Sequence, residues 1–491
     1  MTDVTTAEKS APDADASLPL RLIRIARFAR AHWPFAIVLI AGITIRVIAT
    51  LGYPSVGWFG DSATYLVGSL YLVPSVLRPS GYSIFLWLLK PAHSLTVVVI
   101  SQHVMGVVTG VMIYASVWRG ARALGVRRTW QVALPATLAA VPVLLDAYLI
   151  QLEQMLMADT LFLFLMVAAI TMALWRQRLS WWMGAVAGLI MGLAAVTKSA
   201  GLPLIIVVVV CLLVRRAGWR AITASVAVFA VPMVAYGFWF QSTYGKFAFT
   251  NTDQIYLYGR TVDFANCSKM KPPLDVAVLC MDGVWRDPQI AAPGYQALWG
   301  QTSGLRQIPD GLGGDEANRR AGVFAWLAIT TQPGDYVKVV WRDTFRAFEW
   351  DRKPYPTQWT VDEYLFAATP QSLEGTGAWA AYEYGGWSTW EPKVIEPYAG
   401  WMRGYQSWAY LRGTYLGIIL LLGLGGMIAR WRRWGGLALL PWLMSVALLV
   451  IPAATADFDY RYVMPAMPFA MLAAGLALTW SGRKATEPAA D

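Results

Sequence analysis

Charge is what this chain has least of. Asp, Glu, Lys and Arg supply only 14% of its 491 residues, against roughly 25% in an ordinary soluble domain. Hydrophobic types supply 57%, and the mean hydropathy is +0.45. A soluble domain of this length cannot hide so much apolar surface, and a disordered chain runs to the opposite composition. Cysteine is also scarce. Three residues exclude a disulfide-rich secreted scaffold, and no cysteine/histidine spacing matches a zinc site. No internal repeat is visible. What remains is an all-α polytopic membrane protein.

A helix needs about 20 apolar residues to cross the bilayer core. About ten stretches qualify: 34–52, 95–118, 129–151, 156–175, 181–199, 201–214, 221–240, 413–429, 435–453 and 461–480. Every second connection is basic. Arg21, Arg24, Arg27 and Arg30 precede the first span, and Arg119, Arg122, Arg127 and Arg128 follow the second. Arg176 and Arg178 follow the fourth, Arg215, Arg216 and Arg220 the sixth, Arg430, Arg432 and Arg433 the eighth, and Arg483 and Lys484 the tenth. The positive-inside rule assigns these loops and both termini to the cytoplasm. These segments, with Lys9, hold 19 of the 40 basic residues but only six of the 30 acids. The formal net charge of +10 is therefore mainly a topology signal. It does not form the single basic face of a nucleic-acid-binding protein.

The expected organisation is a cytoplasmic tail over 1–33, disordered over about 1–20, then a transmembrane core over 34–240 with a first outer loop at 53–92. An exoplasmic domain of mixed structure follows at 241–412, then C-terminal spans over 413–482 and a short tail over 483–491. Arg46 lies in the first span, which reads as a retained anchor rather than a cleaved signal. Within the outer loop, 62–73 reads as an interfacial amphipathic helix, and 83–89 is too short to span. The outer domain carries 11 of the 25 tryptophans. Helices are expected at about 315–331, with Asp315 as N-cap, and at about 335–350, where Val337, Val340, Trp341, Thr344 and Phe348 share a face. Residues 351–400, rich in Pro, Gly and aromatics, are expected to be irregular. Cys267 and Cys280 lie in the outer, oxidising compartment and are expected to form a disulfide. Cys211 lies in a span and reads as an inert core residue.

Ionisable groups at membrane depth or its boundary are costly, so each is a functional candidate. They are Arg46, Asp61, His103, Asp146, Glu153, Asp159, Lys198, Asp457, Asp459 and Arg461. All but Arg46 and His103 fall near outer ends of spans. Each also has a plain structural reading. Asp61 and Asp159 suit helix N-caps, Lys198 suits snorkelling to the interface, and Arg461 suits pairing with Asp457 or Asp459. Arg46 and His103 suit interhelical hydrogen bonds. Together the acids and cations fit another chemistry. A carboxylate can deprotonate a hydroxyl, and Lys and Arg can hold a phosphate leaving group. Aromatic faces suit sugar rings. The set fits glycosyl transfer from a lipid phosphate.

Four motifs carry a family likeness. Gly60-Asp61-Ser62 stands in the first outer loop, followed by Arg78-Pro79-Ser80-Gly81-Tyr82. Glu153-Gln154-Met155-Leu156-Met157-Ala158-Asp159-Thr160-Leu161-Phe162 opens the fourth span, Gly192-Leu193-Ala194-Ala195-Val196-Thr197-Lys198 closes the fifth, and Arg461-Tyr462-Val463-Met464-Pro465 opens the last. In order and placement the chain resembles the GT-C superfamily of polyprenyl-phosphate-sugar-dependent glycosyltransferases, in the branch of protein O-mannosyltransferases and aminoarabinose transferases. The likeness covers about 34–240 and 455–480; the outer domain has no match. It implies Asp61 as general base in an inverting transfer to a hydroxyl acceptor on the exoplasmic face. Arg78, Tyr82, Glu153, Asp159, Lys198 and Arg461 would bind donor or acceptor. Asp61 is followed by Ser62 rather than by a second acid, so no metal and no other cofactor is expected. The implied partners are a polyprenyl-phosphate sugar, a glycan, lipid or protein acceptor, and membrane lipid. The implied location is a bacterial plasma membrane. A transporter or flippase of lipid-linked sugars is the competing class.

Overall fold

The computed structural model describes residues 17–176, 179–429 and 436–479. Residues 1–16, Arg178, the Arg430–Arg433 cluster, Arg483 and Lys484 lie outside them. Among the described residues the fold is all-helical, with two isolated β-bridges, Gly57 to Met155 and Ile290 to Thr357, and no strand.

The first region contains α1 (Ser17–Gly52), α2 (Ser62–Tyr71), α3 (Gly81–Leu89), α4 (Leu95–Ala123), α5 (Thr129–Leu145) and α6 (Ala147–Gln154). It continues through α7 (Asp159–Leu174), α8 (Trp181–Thr197), α9 (Leu204–Val214) and α10 (Trp219–Tyr244). The large insertion contains α11 (Asp253–Val262), the single turns α12 (Cys267–Met270) and α13 (Leu274–Ala277), α14 (Pro293–Trp299), α15 (Asp315–Thr331), α16 (Pro333–Arg346), α17 (Gln358–Asp362), α18 (Gly375–Thr389) and α19 (Tyr398–Gln406). The chain ends with α20 (Gly413–Ile428), α21 (Leu439–Thr455) and α22 (Ala466–Leu478).

Five helical stretches are long and apolar enough to cross a membrane: Ile25–Gly52, Leu95–Ala123, Trp219–Tyr244, Gly436–Thr455 and Tyr460–Leu478. The pair α5 and α6, bent by 48°, makes a sixth, and four shorter apolar helices complete the bundle. These ten pieces coincide with the ten apolar stretches of the sequence. The bend between α5 and α6 has a local cause. Asp146 Oδ1 accepts from the backbone N–H groups of Tyr148 and Leu149 at 2.9 and 3.1 Å, capping α6 at its start. Its Oδ2 accepts from the Leu411 N–H at 2.6 Å, tying the bend to the chain leading into α20. Asp146 is thus a joint, not part of the candidate site.

Small residues set the closest helix contact. A side chain at Gly188 of α8 would stand 2.1 Å from the Ser225 carbonyl oxygen of α10, and one at Gly184 2.4 Å from that of Ala221. Glycines four residues apart lie on one helix face and let the two backbones meet.

Basic residues gather at one end of the bundle. There Arg119 donates to the Trp175 carbonyl, and Arg215 donates to the carbonyls of Ala173 and Arg176 at 3.1 and 3.3 Å. The loop 53–61, α2, α3 and the insertion occupy the other end. Helix α10 runs on to Tyr244, past the expected limit of its span, and α1 begins at Ser17, inside the stretch expected to be disordered. Helices α15 and α16 match the two expected amphipathic helices. Asp315 is the first residue of α15 rather than its cap, which is Gly314; its carboxylate takes Lys246 and Asn251 instead. Helix α18 falls in the segment expected to be irregular, since Ala380, Ala381 and Tyr384 give it a buried face. Cys267 and Cys280 are joined, and Cys211 is free and buried.

Candidate functional site

The site is built where four connections meet. Asp61 occupies the N-cap position of α2, but its side chain makes no capping bond. Its oxygens turn to two arginines. Oδ1 accepts from Arg78 at 2.8 Å (Nη2) and 3.2 Å (Nε), and Oδ2 from Arg461 Nη1 at 3.3 Å. Arg78 lies in the turn before α3. That turn reaches the bundle because Gly81 has no side chain; a Cβ there would stand 2.6 Å from the Val196 carbonyl oxygen and 2.8 Å from the Thr197 nitrogen. The contact sets the Arg78 turn beside the end of α8, where Lys198 begins the next connection.

Lys198 donates to Asp159 Oδ1 at 2.5 Å. Asp159 is the first residue of α7, with Ala158 at the cap position, so the carboxylate is committed to Lys198 rather than to its own helix. Arg461 sits between Asp61 and Asp459, whose Oδ2 lies 3.3 Å from Nε. The Tyr364 hydroxyl reaches both oxygens of Asp459 at 2.9 Å. Aromatic faces complete the cation cradle. Arg78 lies 4.8 Å from the ring centre of Tyr256, Lys198 5.0 Å from that of Tyr462, and Arg461 4.9 Å from that of Phe59.

Two cavities open on this cluster and share Asp61, Arg78, Tyr256, Arg461 and Tyr462. The larger, of roughly 320 Å³, adds Asp159 and Lys198 and runs between apolar walls from Phe162, Pro203, Leu448, Ile451 and Pro452. The other, of roughly 220 Å³, is walled by Phe59, Tyr295, Trp299, Trp359 and Phe458, with Asp457 and Asp459 at its edge.

Burial pushes the Asp61 carboxyl up, but Arg78 and Arg461 outweigh it and hold the group below its ordinary range. Asp459 goes the other way: burial raises it, and Arg461 recovers only part. Asp457 is pushed up to about 6, first by burial, with Arg260 opposing.

The structure brings together Asp61, Arg78, Asp159, Lys198 and Arg461. Glu153 and Tyr82 line neither of the two cavities, though Glu153 shares a small separate one with Asp159. Glu153 accepts from Arg46 Nη2 and Nε at 2.6 and 2.7 Å and lies 2.8 Å from His103 Nδ1, all three buried in the bundle. A buried carboxylate needs such partners, and here they are Arg46 of α1 and His103 of α4, which tie Glu153 into the bundle. Tyr82 is fully buried, with its hydroxyl donating to Gln102 Oε1 at 2.8 Å. Tyr256, Trp299, Phe59, Trp359 and Tyr364 were not expected here. Tyr256 and Trp299 come from the insertion helices α11 and α14, whose sequences carry no motif. The proximity of Phe59 to Asp61 was the one available hint.

Fold and site together define a polytopic helical membrane protein with a cation-lined cavity at one end of its bundle. No protein-family model and no curated protein matches the sequence. Among solved structures, the chain is similar to ArnT from Cupriavidus metallidurans, crystallised bound to undecaprenyl phosphate and in the apo state. Identity is 14% and the TM-score 0.32 in both comparisons, covering 90% of this chain and 77% or 76% of the other.

Proposed function

We propose that the protein is a glycosyltransferase that moves a sugar from a polyprenyl-phosphate donor to a hydroxyl acceptor on the exoplasmic face. The observation that carries the reading is the position of Asp61, at the wall shared by a cation-lined, apolar-walled cavity and an aromatic one. The first suits a lipid phosphate. Its apolar walls match a hydrocarbon tail, and Arg78, Lys198 and Arg461 match the phosphate, whose charge grows as the sugar–oxygen bond breaks. The second approaches Asp61 without Lys198 and suits the acceptor.

In the transfer, the acceptor oxygen attacks the anomeric carbon from the face opposite the phosphate, inverting the configuration. Its proton passes to Asp61, the bond from carbon to phosphate oxygen breaks, and polyprenyl phosphate leaves with both bonding electrons. Clamped by two arginines, Asp61 is a weak base. A donor phosphate competes for those same arginines, so donor binding frees the carboxylate and raises its basicity when it is needed.

Asp61→Asn keeps the size of the side chain but removes its basicity. In a detergent or nanodisc assay with a synthetic polyprenyl-phosphate sugar, it is expected to lower transfer by about 10²–10⁴-fold. Full transfer by that variant refutes the base assignment. Lipid translocation without transfer by the parent protein points instead to a flippase.

A further inference from the structure

We propose that the acceptor presents a carbohydrate ring, seated in the second cavity against Trp299 and Trp359. This rests on the glycosyltransferase reading above and specifies its acceptor, which nothing else assigns.

The two tryptophans carry the argument. Of the exposed tryptophans, Trp299 and Trp359 are the two that line this cavity beside Asp61, and they remain 40% and 51% exposed. Phe59, stacked between Trp359 at 6.0 Å and Tyr364 at 5.5 Å, holds Trp359 in place from behind. An indole face is electron-rich, and the C–H bonds on one side of a sugar ring carry partial positive charge, so the two pack face to face. The same ring directs its hydroxyls outward at the rim, where they need acceptors.

Asp61 and Asp459 line the same cavity and supply carboxylate acceptors. Asp457 lines it too, but both of its carboxylate oxygens are buried, packed against Gly294 and 3.8 Å or more from Arg260, and are turned away from a ligand.

Other acceptor classes fit less well. A lipid tail suits aliphatic walls such as Leu448 and Ile451 of the first cavity, whereas this one is walled by aromatic rings. An extended peptide seeks an open strand edge, and no strand exists among the described residues.

The test uses the full-length protein in nanodiscs and saturation-transfer NMR with methyl α-D-mannopyranoside, methyl β-D-glucopyranoside and methyl α-D-arabinofuranoside as probes. At least one glycoside is expected to receive saturation at its ring C–H protons. The signal is expected to fall at least fivefold in Trp359→Ala and in Trp299→Ala. Undecaprenyl phosphate binding is expected to stay unchanged in both. Both indoles are substantially exposed, so their truncation leaves the core intact; Trp359→Phe, which keeps a ring, should retain most of the signal. Absence of saturation for every glycoside, equal signal in parent and variants, or saturation of a serine/threonine peptide in their place overturns the proposal. The broader reading fails separately, if the parent protein moves the polyprenyl-phosphate sugar across the membrane without transferring the sugar.

Discussion

Single side chains divide here into those that titrate for function and those that titrate for structure. Asp61 and Asp457 both line the second cavity, yet their carboxyls move in opposite directions because one has two arginines and the other none within hydrogen-bonding distance. For Asp457 the consequence is thermodynamic. A carboxyl raised from 3.8 to about 6 on folding contributes stability while protonated, below its unfolded value, and loses it as pH rises through 6. Asp457→Asn stays neutral throughout. Its melting temperature should match the parent near pH 4 and exceed it at pH 7–8, by the equivalent of about 3 kcal/mol, in thermal scans across that range. Asp61, Asp159, Lys198 and Arg461 stand out in the sequence because charge is so rare in the chain, and Arg78 enters through the family likeness. Nothing local in the sequence shows that Arg46 on α1 and His103 on α4 turn to meet Glu153.

At the scale of elements, helices form where the sequence is apolar, but their spacing is set by glycines. The pairing of α8 with α10 leaves no room for a side chain at Gly188. Gly188→Val is expected to cost about 1–3 kcal/mol by overpacking, seen as a lowered melting temperature and poorer extraction in mild detergent, with no change in which lipid or sugar is used. Helix α16 shows a limit of periodicity. Val337 and Trp341, which share its expected apolar face, are 64% and 65% exposed, whereas Val339 and Asp343 are buried. Asp343 is drawn inward by Arg260, 2.6 Å away on α11. An ion pair between distant elements leaves no periodic trace, so the pattern identifies the helix and not the side it buries.

For the whole molecule, the insertion is held to the bundle through charges and held together by a covalent link. Arg260 is fully buried among Asp263, Asp343 and Asp457, which joins α11 and α16 to the loop between α21 and α22. Within the insertion, the Cys267–Cys280 bond closes a loop with a sequence separation of 13, which by chain entropy corresponds to roughly 3 kcal/mol. Cys267→Ser is expected to lower the unfolding temperature of this region and raise its proteolytic susceptibility, with the parent matching the variant after reduction. A parent insensitive to reductant would contradict this. Because Trp299 on α14 belongs to the same insertion, glycoside binding should weaken along with it.

The sequence by itself determined the class of the molecule: ten apolar stretches, their alternating basic connections, and the few charges left over. Those are properties of composition and of segments some 20 residues long, and they need no distant partner to be read. Tertiary structure alone decided which leftover charges meet. Asp61 and Arg461 are 400 residues apart in the chain and 3.3 Å apart in the fold, and Tyr256, Trp299 and Trp359 reach them from an insertion without a motif. A cavity exists only where separate elements enclose it, so its walls are written in the packing of the bundle rather than in any one stretch of the chain.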